Sequence, residues 1–280
     1  MKLAQKIAVS YFRTKFKLLT VVSSTKAAEK AFGLFCTPQR RNKKPPPKIF
    51  EQAEKLTFKL DGITIHGWRW NHPAERKVLI LHGFESSATS FDRYVKPLVK
   101  KGYEVLAFDA PAHGKSGSKQ ITAPLYAKTI IEINQRYGPV QSFMAHSFGG
   151  LAVSLALEEI HHTSDSRLVL IAPATETTTA INTFFHFLKL DDSLRPEFEK
   201  IIIKAGGLPS SWYSIRRAMK LIRAKVLWLH DEDDEITPLA DAYKVKEENY
   251  PNIQFVITKG LGHRRIYRDN KVSKAIVDFL

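Results

Sequence analysis

Six short apolar runs, at residues 78–81, 105–108, 140–144, 168–171, 226–229 and 253–257, constrain this chain more than any other feature. None shows the in-out alternation of a strand with one wet face. Short, mostly apolar runs of this kind are expected of strands buried on both faces of a parallel sheet. Helix-period patterns around residues 90–101, 122–136, 149–160 and 239–248 separate most of them, and strand-helix alternation of this kind argues for a doubly wound α/β sheet. Ahead of the runs, Leu56, Phe58 and Leu60 and then Ile63 and Ile65 alternate around Asp61-Gly62, which reads as a hairpin. The expected sheet has about eight strands, mostly parallel, with flanking helices.

Residues 1–50 have a different character. They hold twelve Lys and Arg against the single acid Glu29, so most of the chain's net charge of +15 resides there. Leu3, Ile7, Phe12, Phe16, Leu19, Phe32 and Phe35 recur at loosely helical spacing between the lysines, a basic amphipathic pattern. Two readings stand beside each other: a helical arm packed on its own domain with a solvated lysine face, or peripheral contact with an anionic membrane. A nucleic-acid tether fits less well, because the aromatics follow a helix face rather than forming a stacking platform. Lys15 and Lys17 interrupt the apolar core that a secretory signal would need, while a mitochondrial transit peptide fits the acid-poor composition. Arg40 to Pro47 joins like charges to three prolines and reads as a linker. The expected division is therefore an arm and linker at 1–50 and one domain at 51–280. No run approaches 18 apolar residues, so no membrane-spanning helix is expected. Cys36 is the single cysteine and cannot form an internal disulfide, which makes a reducing, cytoplasmic setting the default.

The chemistry lies where the apolar runs end. Phe143-Met144-Ala145-His146-Ser147-Phe148-Gly149-Gly150 places a serine where a strand turns into a helix, with small Ala145 and Gly149 two positions to either side. This resembles the nucleophile elbow of the α/β-hydrolase family, with Ala145 in place of the first glycine of Gly-x-Ser-x-Gly. Leu81-His82-Gly83-Phe84 resembles the family's His-Gly loop. Asp109-Ala110-Pro111-Ala112-His113-Gly114-Lys115-Ser116 is similar to its Asp-x-Pro-Gly-His-Gly-x-Ser turn, with Ala112 replacing a glycine. His230-Asp231-Glu232-Asp233-Asp234-Glu235-Ile236-Thr237-Pro238 is similar to His-Gly-x-x-Asp-x-x-Val-Pro, with Asp231 at the glycine, and Gly262-His263 follows the last run.

The resemblance covers roughly residues 55–280. It implies Ser147 as nucleophile, His263 as base and Asp234 as the acid that orients it, with Asp233 in reserve because five adjacent acids make a slip of one residue possible. A serine hydroxyl needs such partners, since it is a poor nucleophile at neutral pH. The amides of Phe84 and Phe148 would form the oxyanion hole; His82 and His113 are assigned to architecture. The resemblance also implies a helical lid at about 176–222, in which Phe184, Phe185 and Phe187 would offer an apolar acyl pocket. No Cys-rich cluster, His-Glu-x-x-His or phosphate loop is present, so no metal or cofactor is expected. The implied function is a serine esterase acting on a carboxylic ester or acyl thioester. The alternatives are a hydrolase-like protein that only binds its ligand, or a membrane-associated, lysophospholipase-like enzyme.

Overall fold

A computed structural model describes residues 3–42 and 45–280, with side chains from Val9 onward. Lys2, Lys43 and Lys44 of the basic arm lie outside the described residues, as do the side chains of Leu3, Lys6 and Ile7. Strands are β1 (Glu54–Leu60), β2 (Ile63–Trp70), β3 (Arg76–Leu81), β4 (Tyr103–Phe108), β5 (Ser142–His146), β6 (Arg167–Ile171), β7 (Lys225–Asp231) and β8 (Ile253–Thr258). Helices are α1 (Leu3–Val22), α2 (Ser24–Phe35), α3 (Asp92–Lys100), α4 (Ala123–Tyr137), α5 (Phe148–Ala156), α6 (Thr177–Leu188), α7 (Arg195–Gly206), α8 (Ile215–Ala218), α9 (Leu239–Lys246), α10 (Gly262–Arg265) and α11 (Asn270–Phe279). The strands form one sheet in the order β1-β2-β4-β3-β5-β6-β7-β8. Strand β2 runs antiparallel to both neighbours and all other pairs are parallel, so the expected mostly parallel α/β sheet of eight strands is present.

The runs are apolar at neighbouring positions because their odd and even residues serve different cores. Leu79, Leu81, Phe143 and Trp228 face one apolar layer with residues of α4, α5 and α9; Val78, Ile80, Met144 and Leu229 face another with residues of α3 and α11. A charged residue at any of these positions would lose its water without gaining a partner. At the strand ends the chain must turn, and there the polar residues return.

The chain divides into two compact units, and the division differs from the one expected. One unit, called here the sheet unit, holds residues 38–175 and 214–280. The stretch expected as a linker is bonded within it. The Arg41 guanidinium donates to the carbonyls of Ser116 and Ser118, and Asn42 donates to Ser87 and Thr89 at 3.0 and 3.1 Å. Phe50 is buried edge-on to Trp68 and Trp70.

The other, helical unit joins residues 1–37 to 176–213. The arm is thus not a separate body, and the insertion ends near Tyr213 rather than 222. Beyond it, Ile215, Ala218, Met219 and Ile222 belong to the core beside the sheet. Apolar residues of α1 and α2 form one side of the helical unit: Phe16, Ala27, Ala28 and Ala31 are buried, Phe32 meets Phe198 of α7, and Phe35 lies edge-on to both Phe184 and Phe198. Arg13 donates to the Phe187 carbonyl at 2.6 Å.

Candidate active site

Strand β5 ends at His146 and α5 begins at Phe148, leaving Ser147 alone on the bend with φ 54° and ψ −121°. A non-glycine residue held there carries strain of about 1–3 kcal/mol, so its surroundings must impose it. They do so through the backbone: the Ser147 N–H donates to the Ile171 carbonyl, and the Ser147 carbonyl accepts from Gly150 and Ala174. Close approach explains the glycines. A Cβ on Gly149 would lie 2.7 Å from the His82 carbonyl oxygen, and one on Gly83 would lie 2.8 Å from the Cβ of Ser147. Ala145 is fully buried at the position of the family's first glycine, and the turn accommodates its methyl group.

Ser147 Oγ lies 3.0 Å from His263 Nε2, and His263 Nδ1 lies 2.8 Å from Asp234 Oδ2. All three side chains are buried. The other oxygen of Asp234 accepts the N–H groups of Ile236 and Thr237, both at 2.9 Å. Burial works to raise the Asp234 carboxyl, but the His263 hydrogen bond and charge, with those two amides, outweigh it and hold the group down at about 2. This geometry can take a proton from Ser147 to an imidazole whose opposite nitrogen faces a fixed negative charge.

Asp233, the reserve acid, is exposed and its carboxylate accepts the Gly260 N–H at 2.9 Å instead of facing His263. Asp231 has a larger structural part than its place in an acidic loop suggested. It is fully buried at the end of β7 and accepts from Thr258 Oγ1 at 2.6 Å, from Gly262 N at 2.8 Å and from Leu261 N at 3.1 Å. Burial opposes its charge, yet the Thr258 hydroxyl and these amides hold its carboxyl below the usual range. In the family pattern a glycine stands here; in this chain a carboxylate ties the β7 loop to the turn that carries His263.

Thr237 and His146 escaped the sequence reading. The Thr237 hydroxyl lies 2.8 Å from Asp234 Oδ2, 3.1 Å from His263 Nδ1 and 3.2 Å from the Ala172 carbonyl. The available signal was a threonine at the valine of the resembled motif. His146 Nε2 donates to the His263 carbonyl at 3.0 Å, and its ring lies 4.7 Å from that of His263. Nothing in the sequence marked it, since the position before the serine carries no constraint in Gly-x-Ser-x-Gly.

The surrounding histidines hold loops. His82 Nε2 accepts the Ala110 N–H and its Nδ1 donates to the Gly83 carbonyl; His113 Nε2 accepts the Glu85 N–H and its Nδ1 donates to the Pro111 carbonyl. Burial lowers these two imidazoles to about 4 and about 3, so both are neutral. Ala112 sits at φ 65°, the left-handed backbone that the resembled turn gives to glycine. That substitution costs about 1–2 kcal/mol locally. The Phe84 and Phe148 rings are 6.0 Å apart, and neither residue's N–H donates to a partner among the described residues.

Phe184, Phe185 and Phe187 belong to the other unit. Phe185 is buried against Phe198, Phe184 packs on Phe35 and Phe198, and Phe187 is exposed. Phe185 is therefore core of the helical unit, and Phe184 is half-buried against its neighbours there. Among the described residues no group of three or more His, Cys, Asp or Glu is placed to hold a metal ion.

Comparison with known proteins places the chain. Residues 72–212 match the family model described as serine aminopeptidase, S33. The uncharacterized hydrolase YugF of Bacillus subtilis is 33% identical over 107 residues, which is 36% of this chain and 39% of that protein. The chain thus spans about two fifths of the length of that relative. The uncharacterized protein YqkD of the same organism is 23% identical over 248 residues, 82% of this chain and 81% of that one. Among solved structures, the esterase Pf2001 of Pyrococcus furiosus superposes with a TM-score of 0.65 at 22% identity, covering 88% of this chain and 97% of that one. The sheet order and the matched model agree: this chain belongs to the serine aminopeptidase S33 family of α/β hydrolases.

Proposed function

We propose that the protein is a serine hydrolase that cleaves a carboxylic ester, or an acyl thioester, through an acyl-enzyme. The observation that carries this reading is the hydrogen-bonded chain from Ser147 Oγ through His263 to Asp234, at 3.0 and 2.8 Å. His263 takes the Ser147 proton as the oxygen attacks the acyl carbon, then donates it to the departing alcohol or thiol. In the second half a water is deprotonated by the same imidazole and displaces the acyl group from Ser147. Asp234, ionised well below neutral pH, stabilises the imidazolium in both halves. The amides of Phe84 and Phe148 are the donors for the oxyanion: one follows the close-packed Gly83, the other opens α5, and both are free to donate. Two preorganised donors of this kind are worth several kcal/mol because they cost no reorganisation when charge develops.

Ester cleavage is preferred to peptide cleavage because the similar Pyrococcus furiosus protein is an esterase. The purified protein should hydrolyse p-nitrophenyl acyl esters with a pre-steady-state burst and leave aminoacyl anilides nearly untouched. Ser147→Ala should lower turnover on the order of a millionfold without loss of fold. Ligand affinity with no turnover in either form would instead assign a binding protein, and faster anilide than ester cleavage would assign a peptidase.

A further inference from the structure

Helix α1 has two faces of opposite use. Phe16 is buried, Phe12 stacks on it, and Arg13 is bonded to the Phe187 carbonyl, so this side is taken up inside the helical unit. On the far side Tyr11, Lys15, Leu18 and Val22 follow one another at the four- and three-residue steps that align side chains along a helix, with Val21 and Lys17 beside them. These apolar side chains are not covered: Tyr11 is 60% exposed, Leu18 66%, Val21 86% and Val22 79%. Lys15 and Lys17 are exposed among them, and Lys26 and Lys30 are exposed on α2, where Glu29 is the one acid of the two helices.

We propose that this stripe is a docking surface for an anionic phospholipid bilayer, with Tyr11, Leu18, Val21 and Val22 entering the interface and the lysines meeting the headgroups. Leu18, Val21 and Val22, which have no hydrogen-bonding side-chain groups, with the amphipathic Tyr11 and flanking lysines, suit a fluid surface that is apolar below and negative above. A second copy of the chain would set Lys15 and Lys17 against the same residues, a repulsion that an interface avoids. Nucleic acid would draw on arginine forks and several stacking rings, whereas Arg13 is engaged, Tyr11 is the one ring of the stripe with Lys15 5.4 Å from its centre, and Leu18, Val21 and Val22 cannot stack. Packing of the arm and binding to lipid are therefore not rival descriptions; they belong to opposite sides of one helix.

The test uses the full-length protein, sedimented with vesicles of equal parts phosphatidylcholine and phosphatidylserine and, in parallel, of phosphatidylcholine alone. Binding to the anionic vesicles is expected in low salt, weakening by about tenfold or more on neutral vesicles or in molar salt, where the Debye length shrinks to about 3 Å. Lys15→Glu with Lys17→Glu should lower affinity about fivefold per residue or more. Leu18→Ser, Val21→Ser and Val22→Ser together should reduce it well over tenfold, with the melting temperature and ester turnover unchanged because these side chains are exposed. An intact protein that stays in the supernatant with anionic vesicles in low salt overturns the proposal. So does a triple variant that binds as tightly as the parent. Self-association lost in that variant, without vesicle binding, would give the stripe to a second copy.

Discussion

The strand-end loops of the sheet unit and the helices of the helical unit are held by different forces. In the loops nearly every buried polar side chain has a named partner: Asp234 and Asp231 each accept four hydrogen bonds, and His82 and His113 each accept one and donate one. In the helical unit the contacts are rings on rings, Phe32, Phe35, Phe184 and Phe185 around Phe198, while Ile203, Leu208 and Trp212 are left exposed. Directional bonds fix atoms to within tenths of an ångström; apolar contacts tolerate repacking. Chemistry that depends on a 3 Å relay belongs in the first environment. Variation in what the protein touches is better tolerated in the second.

The largest effect that would break this contrast comes from two neighbouring acids in one loop. Asp234→Asn should lower turnover on the order of ten-thousandfold, because the amide presents the wrong partner to His263. Asp233→Asn keeps a carbonyl oxygen for the Gly260 N–H, so its loss should stay within about tenfold. Steady-state kinetics on one ester decides between them, and equal losses would mean the loop acts as a block rather than through one relay.

Acid should separate the two environments by stability. Burial pushes the His82, His113 and His146 imidazoles down from 6.5 to about 4, about 3 and about 3. Below about pH 6.5 the unfolded chain binds protons that the folded chain refuses, so stability is full above that pH and falls as pH drops toward 4. Three such protons set a limit of about 4 kcal/mol per pH unit. Asp109, whose burial raises its carboxyl, offsets part of this. The contribution of Asp234 is lost later, between its ordinary 3.8 and about 2. The helical unit's His186 is exposed. Hydrogen exchange between pH 7 and 4.5 should therefore show the strand-end loops loosening first; a uniform loss would erase the contrast.

The smallest effect sharpens it within the site. Thr237→Val keeps shape and removes the hydroxyl beside Asp234 Oδ2, so turnover should fall about tenfold at unchanged KM. A change confined to KM would assign Thr237 to substrate rather than to positioning Asp234.

The same contrast explains what was legible in the sequence. Strands β3 to β7 announce themselves because burial on both faces restricts residue type, whereas the edge strand β8 is only half-buried and reads apolar all the same. The Ser147 turn does so because backbone crowding at Gly149 and Gly83 excludes side chains. His263 and Asp234 follow from chain order once the elbow is found. The bonding of Asp231 to Leu261 and Gly262 was hidden, because its partners are backbone amides some thirty positions away that have no residue signature. The companionship of α1 and α2 with residues 176–213 was equally hidden, since apolar helix faces fit many partners. Phe185 misled for that reason: a buried aromatic and a pocket aromatic read alike.

The most direct test of the account is covalent. The protein, treated with a fluorophosphonate at neutral pH and digested, should yield one modified peptide, carrying the adduct on Ser147. His263→Ala should lose that labelling while Asp233→Asn retains it. An adduct on another serine, or labelling of Ser147 that proceeds at the parent rate without His263, would contradict a nucleophile activated through the Ser147–His263–Asp234 relay.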